Sequence, residues 1–332
     1  MSEAQRVGQL VMMDNPSSSI SSTTVNAIKT HYIGGVILDG NSDLSISATK
    51  ALTNQLQAAA GHVGLLISTD QEGGIVRRLR GPGFTDMPSA VVQGQSSPSA
   101  LQAQAQTWGR ELKDAGIDVD LAPVMDTVPA NSGSNPPIGD LDREFGHTPR
   151  VVTTHGLAVL RGMLAAGVDP TVKHFPGLGR VHGNTDTTSG VTDTVTTRDD
   201  PYLAPFRAAV SAGTPFVMMS TAIYSNLDPG TPAAFSRRIV TGLLRNRFGY
   251  QGVVISDDLG GAAQVSGTTV GQRAVRFVAA GGDIVLTVDA SQAGTMTAAL
   301  LAKARQDPGF AALVNVAALR VLKAKQARGL LR

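Results

Sequence analysis

An α/β chain closing into a single-domain (β/α)8 barrel is the fold class that this sequence predicts, on three observations. Short apolar, β-rich runs recur along the chain, and Ala/Leu/Gln-rich segments with helical apolar spacing lie between them. The alternation repeats about eight times, which implies a parallel sheet closed into a barrel. No Pro-, Gly- or Ser-rich linker divides the 332 residues, a length that barrels of this class commonly reach as one unit. An open doubly wound sheet is the alternative architecture.

The predicted strands fall near 7–13 (VGQLVMM), 34–38 (GGVIL), 63–69 (VGLLIST) and 117–124 (IDVDLAPV), then near 170–174 (PTVKH), 215–220 (PFVMMS), 252–256 (GVVIS) and 282–288 (GDIVLTV). Amphipathic helices are expected over 98–115 and 150–166. The Ser-rich piece at 16–23 predicts a loop and a helix start, and the Asn/Gly/Pro-rich piece at 130–140 a long loop after the fourth strand. One domain is therefore expected over residues 1–332.

Composition narrows the function classes. Apolar residues make up 42% of the chain, enough for a large core. Lys and Arg exceed Asp and Glu by only 28 to 26, and no basic run occurs, so a nucleic-acid partner has no electrostatic footprint. Cysteine is absent, which excludes disulfides and thiolate metal sites. No apolar stretch suggests a membrane span. The start MSEAQRVGQL carries no export signal, so the expected location is cytoplasmic, or the cell envelope if a signal has been removed. A monomer is expected.

In a barrel of this kind chemistry sits at the carboxyl ends of the strands. There the sequence places Asp70, Asp126, Lys173 with His174, Thr221, and the pair Asp257–Asp258. Stability alone does not call for charged residues at several strand ends, so their convergence predicts an active site. Asp257 follows the run GVVIS, where a fixed carboxylate suits attack on an anomeric carbon or stabilisation of an oxocarbenium-like transition state. Asp is also a favoured helix N-cap, so one of the pair is expected to cap and the other to react.

In VKHFPGLG (172–179), Pro176, Gly177 and Gly179 shape a fixed turn beyond Lys173 and His174. Neighbours on a strand point to opposite faces. Both reach one ligand only if the strand is ending; otherwise one turns into the helix layer. A Schiff-base lysine is a further alternative for Lys173. Asp70 ends another strand, Gly73 and Gly74 permit positive φ or close backbone approach, and Arg78 follows within helical reach. The Gly-Gly pair lacks a phosphate-loop pattern. His31, His62 and His155 read as packing or surface residues, and no ligand spacing for a metal occurs.

The segments GQLVMM (8–13), GGVIL (34–38), DQEGG (70–74), DLAPVMD (120–126), IGDLDREFG (138–146), KHFPG (173–177) and VISDDL (254–259) together resemble glycoside hydrolase family 3, in its single-domain β-N-acetylglucosaminidase branch. They follow the family order over almost the whole chain, and no second domain of the kind carried by large members is expected. The resemblance implies that Asp257 is the nucleophile and that Asp70, Arg78, Arg143, Lys173 and His174 bind the sugar. Charged groups give such hydrogen bonds strength and geometric selectivity.

One departure matters. That branch carries Asp-Ser-His in the loop after KHFPG, its His acting as acid/base and its Asp orienting it. Here the loop reads KHFPGLGRVHGNTDTT (173–188), two residues longer up to its Asp. Aligned on Asp186, the histidine position holds Thr188; aligned without a gap, Asn184 replaces the Asp and Asp186 the His. Neither alignment keeps the dyad, which leaves Asp186 and His182 as candidates for the acid/base. His titrates near neutrality unaided, whereas Asp needs a raised pKa. Asp186 is preferred, because a carboxyl acid is the general glycosidase solution.

The expected activity is that of a retaining β-N-acetylglucosaminidase acting on peptidoglycan fragments or related amino-sugar glycosides, such as muropeptides, without cofactor or metal. Asp257 would form a glycosyl-enzyme, and the loop group would protonate the leaving oxygen, then activate water or phosphate. The alternatives are a β-glucosidase, other β-glycosidase or phosphorylase on the same scaffold, and a carbohydrate-binding protein descended from such an enzyme. The intact Asp257 weighs against the last.

Overall fold

The computed structural model describes residues 1–61 and 63–331. Eight parallel strands close into a barrel: β1 (Val11–Pro16), β2 (Gly35–Asp39), β3 (Leu66–Thr69), β4 (Val119–Asp120), β5 (Asp169–Phe175), β6 (Phe216–Met219), β7 (Val253–Asp258) and β8 (Ile284–Thr287). Each pairs with its neighbours in the chain, and β8 closes on β1 through Val11 and Val285. The strand period of two sorts the side chains. Met12, Ile37, Leu66, Val119, Met218, Ile255 and Leu286 fill the interior. Met13, Val36, Leu38, Val172, Val217 and Val254 pack outward in the layer shared with the helices. The barrel is thus a filled core and not a pore. Val321 and Ala324 of the helix Pro308–Ala327 join the interior cluster. Beside that helix the chain meets the entry to β3, where Gly64 N–H donates to the Leu330 carbonyl at 2.8 Å.

The two long helices form where their sequences predict them. Pro98–Asp114 starts on the Ser97 cap, which accepts from Ala100 N–H, and buries Leu101, Ala105, Trp108 and Leu112 on one face. Pro149–Ala166 starts in the same way on Thr148 and ends at Gly167 in the left-handed region. The helix Ser22–His31 begins at the Ser-rich segment, on the Ser21 cap.

Three expectations are corrected. The run near 7–13 is a helix before it is a strand: a Ser2–Gln5 capping box starts the helix Glu3–Gly8, and β1 begins only at Val11. The run at 117–124 pairs regularly over Val119–Asp120 alone, with Val124 bridging separately to Lys173; Pro123 between them has no N–H to give. Arg78 is not helical. Gln71–Gly73 and Val76–Arg77 form an antiparallel hairpin and Arg78 leaves it. Gly73 there has φ +107°, and a Cβ on it would lie 2.2 Å from the Pro88 carbonyl oxygen. β3 begins at Leu66, while Val63 makes an isolated bridge to Leu331. His31 and His155 lie in helices; His62 lies outside the described residues. Among the described residues no helix is long and apolar enough to cross a membrane.

Candidate active site

A cavity of about 490 Å³ opens at the carboxyl ends of the strands. Asp70, Arg78, Arg143, Lys173, His174, Asp186 and Asp257 all line it. His182 is outside the lining: it is exposed, and its Nδ1 lies 3.1 Å from the Ser134 carbonyl oxygen. Thr221 is buried and also off the cavity wall. Among the described residues no group of three His, Asp or Glu is arranged to hold a metal ion.

Local irregularities in two strands bring the key residues to the cavity. The register of β5 against β6 slips between Val172 and Phe175, so that Lys173 and His174 both reach the lining. The register of β7 against β8 slips between Ile255 and Asp258, at Asp257. A bulge re-aims side chains that a regular strand would alternate. Beyond β5, a Cβ on Gly179 would lie 1.9 Å from the Thr127 carbonyl oxygen, so the Pro-Gly turn packs directly on backbone.

The floor is a closed ionic network. Lys173 Nζ donates to Asp70 Oδ1 at 2.5 Å and lies 2.7 Å from Glu72 Oε1. Arg143 forks onto Glu72, Nε to Oε2 at 2.8 Å and Nη2 to Oε1 at 2.7 Å. Burial opposes the charge on all three of Glu72, Arg143 and Lys173, yet their mutual attraction outweighs it. Glu72 is held well below the usual carboxylate range, and Lys173 and Arg143 above their ordinary values. A lysine held charged in this way is a poor nucleophile toward a carbonyl, which weighs against the Schiff-base alternative. His174 is oriented by the fully buried Asp126, whose Oδ2 lies 2.7 Å from Nδ1 while Oδ1 accepts from the His174 and Leu178 N–H groups. Arg78 stands at the rim, its Nε 3.9 Å from Asp39 Oδ1.

Glu72 was not singled out from the sequence, although it lies inside DQEGG. Its signal was a charged residue between a strand-end Asp and a Gly-Gly turn, where the chain is about to be enclosed.

The opposite wall is acidic. Asp257 Oδ1 accepts from Asp258 N–H at 2.9 Å. Asp258 takes the capping part: it accepts from Gly260 and Gly261 N–H at 2.8 Å each and from Val288 N–H at 3.1 Å. Asp186 is exposed, on a loop segment, and is among the residues that line the cavity. Loss of water around that carboxyl, and then the nearby Asp257 charge, push its pKa up to about 6, against the opposing pull of His174 and Arg143. A carboxyl near that value holds a proton at mildly acidic pH and can both give and take it.

Comparison with known proteins places the chain. Residues 3–323 match the glycosyl hydrolase family 3 N terminal domain. A beta-hexosaminidase from Stenotrophomonas maltophilia is 35% identical over 265 residues, 76% of each protein. The crystal structure of a beta-N-acetylhexosaminidase from Beutenbergia cavernae superimposes with a TM-score of 0.97 at 50% identity, covering 98% of this chain and 99% of that one. A glycoside hydrolase family 3 beta-N-acetylglucosaminidase from a Paenibacillus species gives 0.92 at 33% identity, covering 99% of this chain and 63% of that one.

Proposed function

The chain belongs to glycoside hydrolase family 3 and is a glycosidase, and from that premise we propose that it removes terminal β-linked N-acetylglucosamine, with retention of configuration, from peptidoglycan fragments or related amino-sugar glycosides. Residues 1–332 act in this reading as one catalytic barrel. The terminal sugar lies on the floor, where Asp70, Lys173, His174, Arg143 and Arg78 hold its hydroxyls. Asp257 attacks C1 from one face while Asp186 protonates the departing glycosidic oxygen. Asp186, now ionised, then takes a proton from the water that attacks C1 and releases the sugar from Asp257.

The observation that carries this reading is the Asp186 carboxyl, raised to about 6 in a cavity that it shares with Asp257. A carboxyl with a raised pKa beside a second carboxyl in one cavity suits the paired acid and nucleophile roles of a retaining glycosidase. Asp186 is favoured over His182 because it lines the cavity, whereas His182 sits against the Ser134 carbonyl outside it.

Trapping tests the reading. A ring-fluorinated N-acetylglucosaminide with a good leaving group slows release of the glycosyl-enzyme, and peptide mass mapping should then find one sugar on Asp257. Proton NMR of early product should show the β-anomer first. A label on another residue, or the α-anomer first, overturns the assignment. Faster turnover of an aryl glucoside than of the aryl N-acetylglucosaminide would transfer the activity to a β-glucosidase.

A further inference from the structure

We infer that Gln264 is a positioning residue for the proton donor: its side-chain amide clasps the backbone of Val191 and thereby fixes the Asp186 loop against the segment that follows Asp257. The inference rests on Asp186 being the acid/base.

Both ends of the Gln264 amide are used. Oε1 accepts from Val191 N–H at 2.8 Å and Nε2 donates to the Val191 carbonyl at 3.1 Å, both in buried surroundings. The adjacent backbone grips the other side of the loop: Gln264 N–H donates to the Thr185 carbonyl and Ala263 N–H to the Asp186 carbonyl, each at 3.0 Å. Residues 187–190 between these anchors are exposed. The gripping segment is itself tied to the nucleophile strand, because Asp258 holds the Gly260 and Gly261 N–H groups, and Gly261 and Ala262 line the cavity.

A path of hydrogen bonds and intervening backbone therefore runs from Asp257 through the Asp258 turn along residues 261–264 and across to Asp186. A proton donor must stay within hydrogen-bond reach of the leaving oxygen, and a displacement of about 1 Å can cost about a hundredfold in rate. An exposed loop of this length would not hold a carboxyl that closely by itself. The groups facing Asp186 are Asp257 and Asp258 on β7, His174 on β5, and Arg143. Loosening the clasp lets the carboxyl swing away from Asp257 and regain water, which lowers its pKa.

The test uses Gln264→Met, which keeps the volume and removes both side-chain bonds, and Gln264→Glu, which keeps only the acceptor for Val191 N–H. Rates are compared on a disaccharide with terminal N-acetylglucosamine and on its nitrophenyl glycoside, which needs little acid assistance. Gln264→Met should lower kcat/KM on the disaccharide about tenfold more than on the nitrophenyl glycoside, and move the alkaline limb of the disaccharide kcat/KM profile to lower pH. Gln264→Glu turns a carboxylate oxygen toward the Val191 carbonyl and should show the same discrimination between the substrates, and it carries the test if Gln264→Met does not fold. Equal losses on both substrates with an unmoved pH limb would mean a merely structural role and overturn the inference. Asp186→Ala is run in parallel. If it discriminates between the substrates while neither Gln264 variant does, the inference fails and the assignment of Asp186 stands. If Asp186→Ala does not discriminate, the assignment itself fails.

Discussion

The cavity floor around Lys173 and the wall around Asp257 and Asp186 are built at strand ends of one barrel, yet they treat charge in opposite ways. On the floor every ionised group has a partner of opposite sign: Lys173 meets Asp70 and Glu72, and Arg143 forks onto Glu72. Glu72 is held below the usual carboxylate range, and Arg143 and Lys173 above their ordinary values, by that mutual attraction. On the wall three carboxylates face one another, and burial together with like charge raises Asp186 to about 6 and Asp258 above its ordinary value. A pinned network suits binding, because a sugar hydroxyl meets the same donors and acceptors at any working pH. A poised carboxyl suits proton transfer, which needs both forms within reach.

The largest expected effect breaks the wall. Asp257→Ala should lower kcat by several orders of magnitude on every substrate, natural or activated, with the melting temperature little changed. Asp258→Asn should cost much less activity, since Asp258 works on the Gly260, Gly261 and Val288 N–H groups. Equal losses in the two variants would mean that the nucleophile is misassigned.

Next comes proton transfer. Asp186→Ala should cost roughly a hundredfold or more in kcat/KM on a disaccharide and little in kcat/KM on a nitrophenyl glycoside, whose kcat falls through slow release of the glycosyl-enzyme and is restored by azide. In the parent enzyme, kcat/KM on the disaccharide should fall as pH rises through about 6, because the acid then loses its proton. A profile flat across that region would remove Asp186 from the role.

A smaller effect separates the floor from the wall. Glu72→Gln leaves Lys173 and Arg143 buried without a shared counter-charge, and breaking a buried ion pair from one side costs roughly 3–5 kcal/mol of stability. Urea unfolding should report this loss, and KM should rise by more than kcat falls. The folded-state pKa of Glu72 is depressed, so its stabilisation is present above the ordinary glutamate pKa and is lost as pH falls below it. The difference in stability between parent and Glu72→Gln should therefore shrink in acid.

The smallest effect has the opposite sign. Asp186 is raised in the folded state, so its ionisation weakens the fold as pH rises from the ordinary aspartate range through about 6. Asp186→Asn should melt slightly higher than the parent at pH 8, and the gain should vanish near pH 4. A lower melting temperature at pH 8 would show that the wall stores no like-charge strain.

The barrel was legible because its signal is local. Runs such as GGVIL and GVVIS alternate with amphipathic helices, and helices such as Pro98–Asp114 carry their own caps. The strand-end placement was legible for the same reason: Asp70, Lys173, His174 and Asp257 adjoin apolar runs that end at the mouth. Boundaries were less so. The first strand was displaced by a capping box that begins at Ser2, and the reading of Arg78 as helical missed the tight hairpin at Gly73.

What the sequence determined by itself was therefore the alternation that closes the barrel and the residue types at the ends of its strands. The tertiary structure decided which of them meet. Glu72 and Arg143 are 71 residues apart, and His174 and Asp126 are 48 apart. No periodicity links such partners, and register slips in β5 and β7 aim the side chains. The placement of Asp186 and His182 was of the same kind. Three residues separate them in one loop, which Ala263 and Gln264 hold on its Asp186 side, and one lines the cavity while the other lies outside it. Local sequence sets periods and caps; the direction in which a charged side chain finally points is set by packing between distant segments, where desolvation makes an unpaired charge costly.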